Sequence, residues 1–235
     1  MPPTPVFVAP QQYLRSPAGL AKAVVVLLMA VAVADLLAVA AGLNIRRVLG
    51  NGPENDFATY DDAEATLADN LYGSAGALQG VMTLATGIVF ILWFRRLRMN
   101  AEVFDPSVQP MSPGWSIGAW FIPFANLVLP RRIAGGIWTA SAQTNPDGSW
   151  RTVPATAMNQ WWGAWVCSLA FSWVTSRQYM RAEKTQEIID AAGLVMASDA
   201  LDIVAAVFAI LFVRKLTRMQ GERAALGVYP LGARG

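Results

Sequence analysis

Four long apolar segments, separated by polar stretches, dominate the pattern of the chain. Each is long enough to form a helix that crosses a bilayer, since a crossing takes about 20 residues at a rise of about 1.5 Å per residue. The segments run from Ala18 to Leu43, from Gly73 to Phe94, from Met158 to Ser176 and from Gly193 to Val213. The pattern therefore predicts an all-α fold, a polytopic transmembrane helical bundle with four spans.

A fifth apolar segment is shorter and is interrupted by a proline. It runs from Trp115 to Leu129, contains Pro123, and is closed by Pro130 and two arginines. This length is short for a crossing, and a proline-broken backbone is tolerated at membrane depth only where protein or water satisfies its polar groups. We therefore predict a Trp/Pro-rich re-entrant or interfacial element over residues 113–130, with a bundle of five spans as the alternative.

The positions of the basic residues indicate an orientation in the membrane, because cytoplasmic loops collect Lys and Arg. With four spans and a cytoplasmic N-terminus, 13 of the 18 basic residues lie inside, whereas a fifth crossing lowers that number to 8. We therefore predict a multi-pass protein of the cell membrane with both termini in the cytoplasm. Its parts are a Pro-rich lead (1–17), a membrane domain (18–216) and a cytoplasmic tail (217–235), with outer helices within 61–71 and 177–192.

The composition favours the same class of protein and disfavours several functions. Hydrophobic residues make up 54% of the chain and charged residues only 14%, against about 25% charged residues in soluble domains. A net charge of +2 gives no reason to expect a nucleic-acid partner, and the chain has no histidine, the commonest general base and metal ligand. The single cysteine, Cys167, lies in an apolar segment and is expected to be buried. We predict no enzyme activity, no cofactor and no metal site.

Three carboxylates, Asp35, Asp199 and Asp202, fall inside the predicted spans. A charged carboxylate near the bilayer centre costs about 2.5–3.5 kcal/mol, so each is expected to face other helices or a wet cavity. A spacing of three places Asp199 and Asp202 on one face of the last span. Two interpretations stay open. The carboxylates either hold the helices together, protonated or hydrogen-bonded to neighbours such as Ser172, Gln79 or Thr83, or they form a cation or proton site.

The densest cluster of unusual residues lies between Trp115 and Pro130. It reads Trp-x-x-Gly-x-Trp-Phe-x-Pro-x-x-Asn-x-x-x-Pro. With the arginines that precede it and the tryptophans that follow it, this segment resembles the bacterial membrane family called domain of unknown function 4328, over about residues 75–215. The resemblance implies a multi-span membrane protein common in high-GC bacteria. It supplies no activity, cofactor or catalytic residue.

The aromatic and basic residues of this element are candidates for binding. Aromatic rings favour the headgroup boundary, and clustered arginines near the inner leaflet attract anionic lipid, although a purely structural belt has the same composition. Asn126 is expected to cap the backbone groups that Pro123 frees. We predict a non-enzymatic protein that binds or scaffolds a membrane partner, anionic lipid or a second copy of itself; the alternative is a small channel or transporter for a cation or proton. The candidate lipid- or partner-binding residues are Trp115, Trp120, Phe121, Asn126, Arg131, Arg132 and Trp138.

Overall fold

The computed structural model describes residues 14–50, 62–143, 152–182 and 184–226, and these residues form helices and turns without a β-strand. Three of the helices, the first, the second and the last, are long and apolar enough to cross a membrane. The helices are α1 (Ala18–Gly50), α2 (Asp62–Phe104), α3 (Trp115–Gly118), α4 (Leu129–Ala140), α5 (Thr156–Tyr179) and α6 (Thr185–Ala225), and a 3-10 turn covers Ala125–Leu127.

Among the four long helices, the most extensive pairings are α2 with α1, α1 with α6 and α6 with α5. Helices α2 and α5 close these pairs into a bundle, because they are joined by ring contacts at two levels. The ring centroids of Tyr72 and Tyr179 are 5.9 Å apart, and those of Phe90 and Trp161 are 5.6 Å apart. These contacts define two ends of the bundle, which we call the tyrosine end (Tyr72, Tyr179) and the tryptophan end (Trp93, Trp120, Trp138, Trp161).

The long helices continue beyond the apolar segments that predicted them. Helix α2 begins at Asp62, so the predicted outer helix within 61–71 is its first part, and α6 begins at Thr185, within the second predicted outer helix. Helix α6 also runs on to Ala225, into the stretch assigned to the tail. Hydropathy marks only the part of a helix that has the length of a membrane crossing. Residues such as Ala, Glu, Gln and Arg favour the helix without being strongly apolar, so a helix can continue into water where hydropathy no longer indicates it. Most of the predicted lead (1–17) lies outside the described residues.

The main core lies at the tryptophan end. Trp161 of α5 stacks on Phe212 of α6 with 4.2 Å between the ring centroids. Helix α4 contributes one buried face, which includes Ile133 and Ile137. Deeply buried rings and aliphatic side chains from four helices thus meet at one point: Trp93, Phe94, Ile133, Ile137, Trp161, Phe212, Val213 and Leu216. This core fixes the start of α5 against the ends of α2 and α6.

A buried polar network ties three chain segments together beside this core. The backbone N–H of Arg15 donates to Asn100 Oδ1 at 3.1 Å, and Asn100 Nδ2 donates to Arg15 O at 2.8 Å. Asn100 Nδ2 also donates to Gln220 Oε1 at 3.0 Å, and Gln220 Nε2 donates to Leu97 O at 2.9 Å. Satisfied networks of this kind specify one arrangement of the elements that they join. The start of α1 and the ends of α2 and α6 are therefore held in one register.

Candidate functional site

The three intramembrane candidates, Asp35, Asp199 and Asp202, come together around Gln79 of α2. Gln79 Nε2 donates one hydrogen bond to Asp35 Oδ1 on α1 at 2.9 Å and another to Asp199 Oδ1 on α6 at 3.0 Å. Asp35 is 3% exposed and Asp199 is 6% exposed. One amide thus bridges two buried carboxyl groups from two different helices. We call Asp35, Asp199 and Asp202 together the carboxylate site.

The carboxylate site is short of hydrogen-bond donors. Asp35 Oδ2 and Asp199 Oδ2 are both buried and find no hydrogen-bond partner among the described residues. Each salt bridge in the described part of the chain is formed by other residues, namely Arg98–Glu102, Lys184–Glu187 and Arg218–Glu222. A buried acceptor without a donor costs about 1–3 kcal/mol, and more when it is charged. Two buried carboxyl oxygens of the site thus lie without a donor among the described residues.

Asp202 lies one helical turn after Asp199 and completes the site. Ser172 Oγ of α5 lies 3.5 Å from Asp202 Oδ2 and 2.7 Å from Ser198 Oγ. Asp202 is close enough to Asp35 and Asp199 to act on both electrostatically. Ser172 and Gln79, two of the three neighbours expected from the sequence, are thus among the residues that contact the carboxylates, whereas the third, Thr83, is exposed.

A cleft opens beside the carboxylate site, between α2 and α5 toward the tyrosine end. Its volume is about 250 Å³. Asp199 and Gln79 line it, together with Tyr72 and Tyr179, whose rings form a tilted pair. The remaining lining residues are small or apolar: Ala38, Gly76, Ser176, Met180 and Val195. The carboxylate site is therefore reached through an aromatic, mostly apolar cleft.

Sequence reasoning missed the tyrosines and the cleft, although a signal was present. Residues spaced i, i+4 and i+7 share one face of a helix. Such a face, carrying several small or polar side chains within an apolar helix, occurs on three of the four helices that meet here: Tyr72, Gly76 and Gln79 on α2, Ser172, Ser176 and Tyr179 on α5, and Val195, Asp199 and Asp202 on α6. That these faces point at one another is a result of packing, which periodicity alone does not reveal.

At the other end of the bundle, the candidate binding residues between Trp115 and Trp138 lie in different surroundings. Trp120 packs against Phe90, Phe94 and Trp165, with ring centroids 5.7, 5.8 and 5.8 Å away. Trp138 is 4% exposed, stacks on Phe212, and donates from Nε1 to Val153 O at 3.2 Å. Both rings find aromatic partners on neighbouring helices, so Trp138 belongs to the buried core, whereas Trp120 packs against the core and stays partly exposed. Trp138 is therefore not at the surface, where the sequence predicted it.

Other residues of the element are exposed. Phe121 is 72% exposed, Phe124 is 85% exposed, and Trp115 lies at the edge with 37%. Phe124 has φ 61° and ψ −38°, and Ala125 N donates to Pro123 O at 2.7 Å. An i to i+2 hydrogen bond across a residue with positive φ is a strained γ-turn. The turn holds the Phe124 ring away from the core.

The basic residues and Asn126 also differ in their contacts. Arg131 is half-buried, donates a hydrogen bond to Asn159 of α5, and has a pKa lowered by this partial burial. Arg132 is exposed. The Asn126 side chain makes no hydrogen bond to any residue that the structure describes, and its backbone N–H bonds to Ile122 O at 2.9 Å. The capping role expected of Asn126 is therefore absent here, because backbone bonds within the turn already satisfy these groups.

Arg98, just before the end of α2, is a buried basic residue that the sequence pattern did not single out. Its side chain is 2% exposed, pairs with Glu102, and donates from Nη2 to Met111 O in the segment that leads into α3. A buried guanidinium that binds a loop carbonyl anchors that loop. Cys167, expected to be buried, is exposed on α5. No group of three or more His, Cys, Asp and Glu in the described ranges is arranged to hold a metal ion.

The all-helical fold, with helices of membrane-spanning length and apolarity, defines the class as an α-helical membrane protein. Within this class, the family model described as domain of unknown function (DUF4328) matches residues 57–218, which is more than half of the chain. The chain belongs to this family, and the resemblance carried by the segment from Trp115 to Pro130 is confirmed. No curated protein and no solved structure matches the chain.

Proposed function

We propose that this protein is a small channel or transporter that binds a cation or a proton at the carboxylate site. The observation that carries the proposal is the sharing of one donor, Gln79 Nε2, by two buried carboxyl groups whose second oxygens have no partner among the described residues. Charged groups inside a membrane domain are costly, and they commonly mark ion pathways and proton relays. The cleft beside Asp199 provides a route from one end of the bundle.

We propose in addition that the chain crosses the membrane four times. Helix α5, with 24 residues, is about 36 Å long at the helical rise, which exceeds the hydrocarbon core of a bilayer at about 30 Å. Its two ends contact α2 at the tryptophan end and at the tyrosine end. Taken with the excess of basic residues on one side, four spans place the tryptophan end and both termini in the cytoplasm and the tyrosine end outside.

Ion flux into vesicles tests the proposal. Purified protein in liposomes should dissipate an imposed Na⁺, K⁺ or proton gradient, followed with ion-sensitive dyes, and Asp199→Asn should slow this flux about tenfold or more, because it removes the charge without changing the shape. Asp190→Asn is the matched control, since Asp190 of the same helix is exposed and bonds to Gln186. Flux no faster than in protein-free vesicles would contradict a Na⁺, K⁺ or proton pathway, and unchanged flux in Asp199→Asn would contradict the carboxylate site as its binding site.

A second candidate function is the binding of anionic lipid or a membrane partner by the segment 115–132. It is supported by the exposure of Phe121, Phe124 and Val128 on the same segment as exposed Arg132. Exposed apolar side chains next to basic residues are typical of surfaces that enter the headgroup region. This role is non-enzymatic and compatible with the first. Trp120 and Trp138, which pack against the core, would then hold this surface in place.

The same contacts favour a re-entrant course for this segment. Met111, just before it, is bound by Arg98 near the end of α2, whereas Trp120 reaches Phe90. Eight residues separate Phe90 from Arg98 along α2, which is about 12 Å of helix. The segment would therefore dip about 12 Å toward the membrane interior before Pro130 turns it into α4.

A further inference from the structure

We infer that the cleft between α2 and α5 binds a small organic ammonium ion, a protonated primary amine with a short hydrocarbon tail. The inference rests on the proposed role of the carboxylate site as a cation site and names the class of cation. Three features of the cleft carry it: an acceptor that lacks donors, two aromatic rings, and walls that are otherwise apolar.

The acceptor is Asp199, which lines the cleft and whose buried Oδ2 has no hydrogen-bond partner in the described part of the chain. Gln79 uses both hydrogens of its amide on Asp35 and Asp199, so it offers no further donor. A primary ammonium group carries three N–H donors and a positive charge. It supplies both things that the carboxylate site lacks, and Ser176, which also lines the cleft, carries a further acceptor.

The rings are those of Tyr72 and Tyr179, whose centroids lie 5.9 Å apart at an interplanar angle of 40°. Both rings line the cleft. Aromatic faces attract ammonium groups, and the attraction grows when the site is shielded from water. Asp69 lies close enough to Tyr179 to act on it electrostatically, so a further negative charge stands near this wall.

The remaining walls suit an organic cation better than a hydrated metal ion. Ala38, Met180 and Val195 present hydrocarbon and thioether surface to the cleft. Divalent and alkali cations prefer oxygen ligands and retained water, which such walls do not provide. The volume of about 250 Å³ lies below the range of drug-sized pockets, about 300–1,000 Å³, and thus fits a tail of a few carbons.

Binding of n-butylammonium to the full-length protein in detergent micelles tests this inference. Calorimetry and the ligand-induced rise in melting temperature should both report binding by the wild type. We expect Asp199→Asn to weaken binding about thirtyfold or more, since it removes the paired charge. Tyr179→Leu should weaken it about five- to thirtyfold, since it removes one ring face. Trp173→Leu is the matched control and should bind as the wild type does, because Trp173 is an exposed ring on the same helix that lies under Arg177.

The choice of probes separates this inference from the proposed function. Tetramethylammonium, which has no N–H donor, and 1-butanol, which has no charge, should bind at least tenfold more weakly than n-butylammonium. Equal binding of either probe would overturn the inference. Sodium or proton flux that depends on Asp199, without n-butylammonium binding, would overturn it while leaving the proposed function intact. If Asp199→Asn does not fold, the Tyr179→Leu and Trp173→Leu pair decides, and equal binding by these two variants would overturn the inference.

Discussion

Among single residues, Gln79 can be assessed by counting donors and acceptors. Asp35 and Asp199 together present four carboxyl oxygens, and the amide of Gln79 supplies two hydrogens, which reach one oxygen of each carboxyl group. The two other oxygens are buried without a partner among the described residues. Gln79 is therefore a structural bridge between three helices that leaves one oxygen of each carboxyl group without a donor among the described residues.

Replacing Gln79 by Leu should destabilise the protein by about 1–2 kcal/mol, since two hydrogen bonds between membrane helices are lost at about 0.6 kcal/mol each, up to about 1.7. Reversible unfolding in mixed micelles measures this change. The matched control is Gln186→Leu, because Gln186 is exposed and its bond to Asp190 lies within α6; it should change stability little. A Gln79→Leu variant as stable as the wild type would mean that the bridge contributes nothing.

Among the elements, the segment between α2 and α4 combines two kinds of residue that look alike in sequence. Trp120 and Trp138 are packed against rings of other helices, whereas Phe121 and Phe124 are exposed. Both kinds are large aromatic side chains in an apolar context, and only tertiary packing decides which face inward. Sequence therefore predicted that this element is unusual, and where it lies along the chain, but not which of its residues are free to bind.

The double change Arg131→Gln and Arg132→Gln should lower the amount of phosphatidylglycerol that co-purifies with the protein. Each charge near an anionic leaflet contributes about 1 kcal/mol, so a loss of two charges corresponds to about a thirtyfold weaker affinity. The melting temperature should fall only slightly, because Arg131 loses one bond to Asn159 and Arg132 is exposed. Bound lipid per protein, measured by mass spectrometry, reports the effect.

Arg181→Gln is the control for this experiment, since Arg181 is exposed near the opposite end of the bundle, just after α5. It should leave the bound phosphatidylglycerol unchanged. If the double variant keeps all its lipid, the segment only anchors the helix ends. A large fall in melting temperature with unchanged lipid would assign Arg131 a purely structural role.

For the whole molecule, hydropathy predicted the long helices well, because burying backbone in lipid demands apolar side chains over a fixed length. It predicted less about their ends: α2 and α6 extend into charged sequence at Asp62 and Ala225. Depth along the helices also placed Gln79 and Ser172 near the carboxylates, as the structure does. The cleft and its tyrosines depend on how helix faces meet, which is a property of the packed bundle. The orientation in the membrane remains a prediction.

Cysteine labelling from outside the cell tests that orientation in a Cys167→Ser background. With four spans, a cysteine introduced at Ala58 or Ala182 should react with an impermeant maleimide, and one at Asn145 should react only after the membrane is permeabilised. A fifth crossing within 113–130 would reverse the labelling expected at Ala182 and Asn145 and would leave the labelling at Ala58 unchanged. Ala58 is therefore the internal control, and Asn145 and Ala182 are expected to change in opposite directions. The four-span arrangement is expected because it keeps 13 of the 18 basic residues inside, against 8 for five spans. Labelling at Asn145 in intact cells, together with protection at Ala182, would instead place the turn between α5 and α6 in the cytoplasm and would contradict the four-span arrangement, in which Tyr72 and Tyr179 lie on the same side of the membrane.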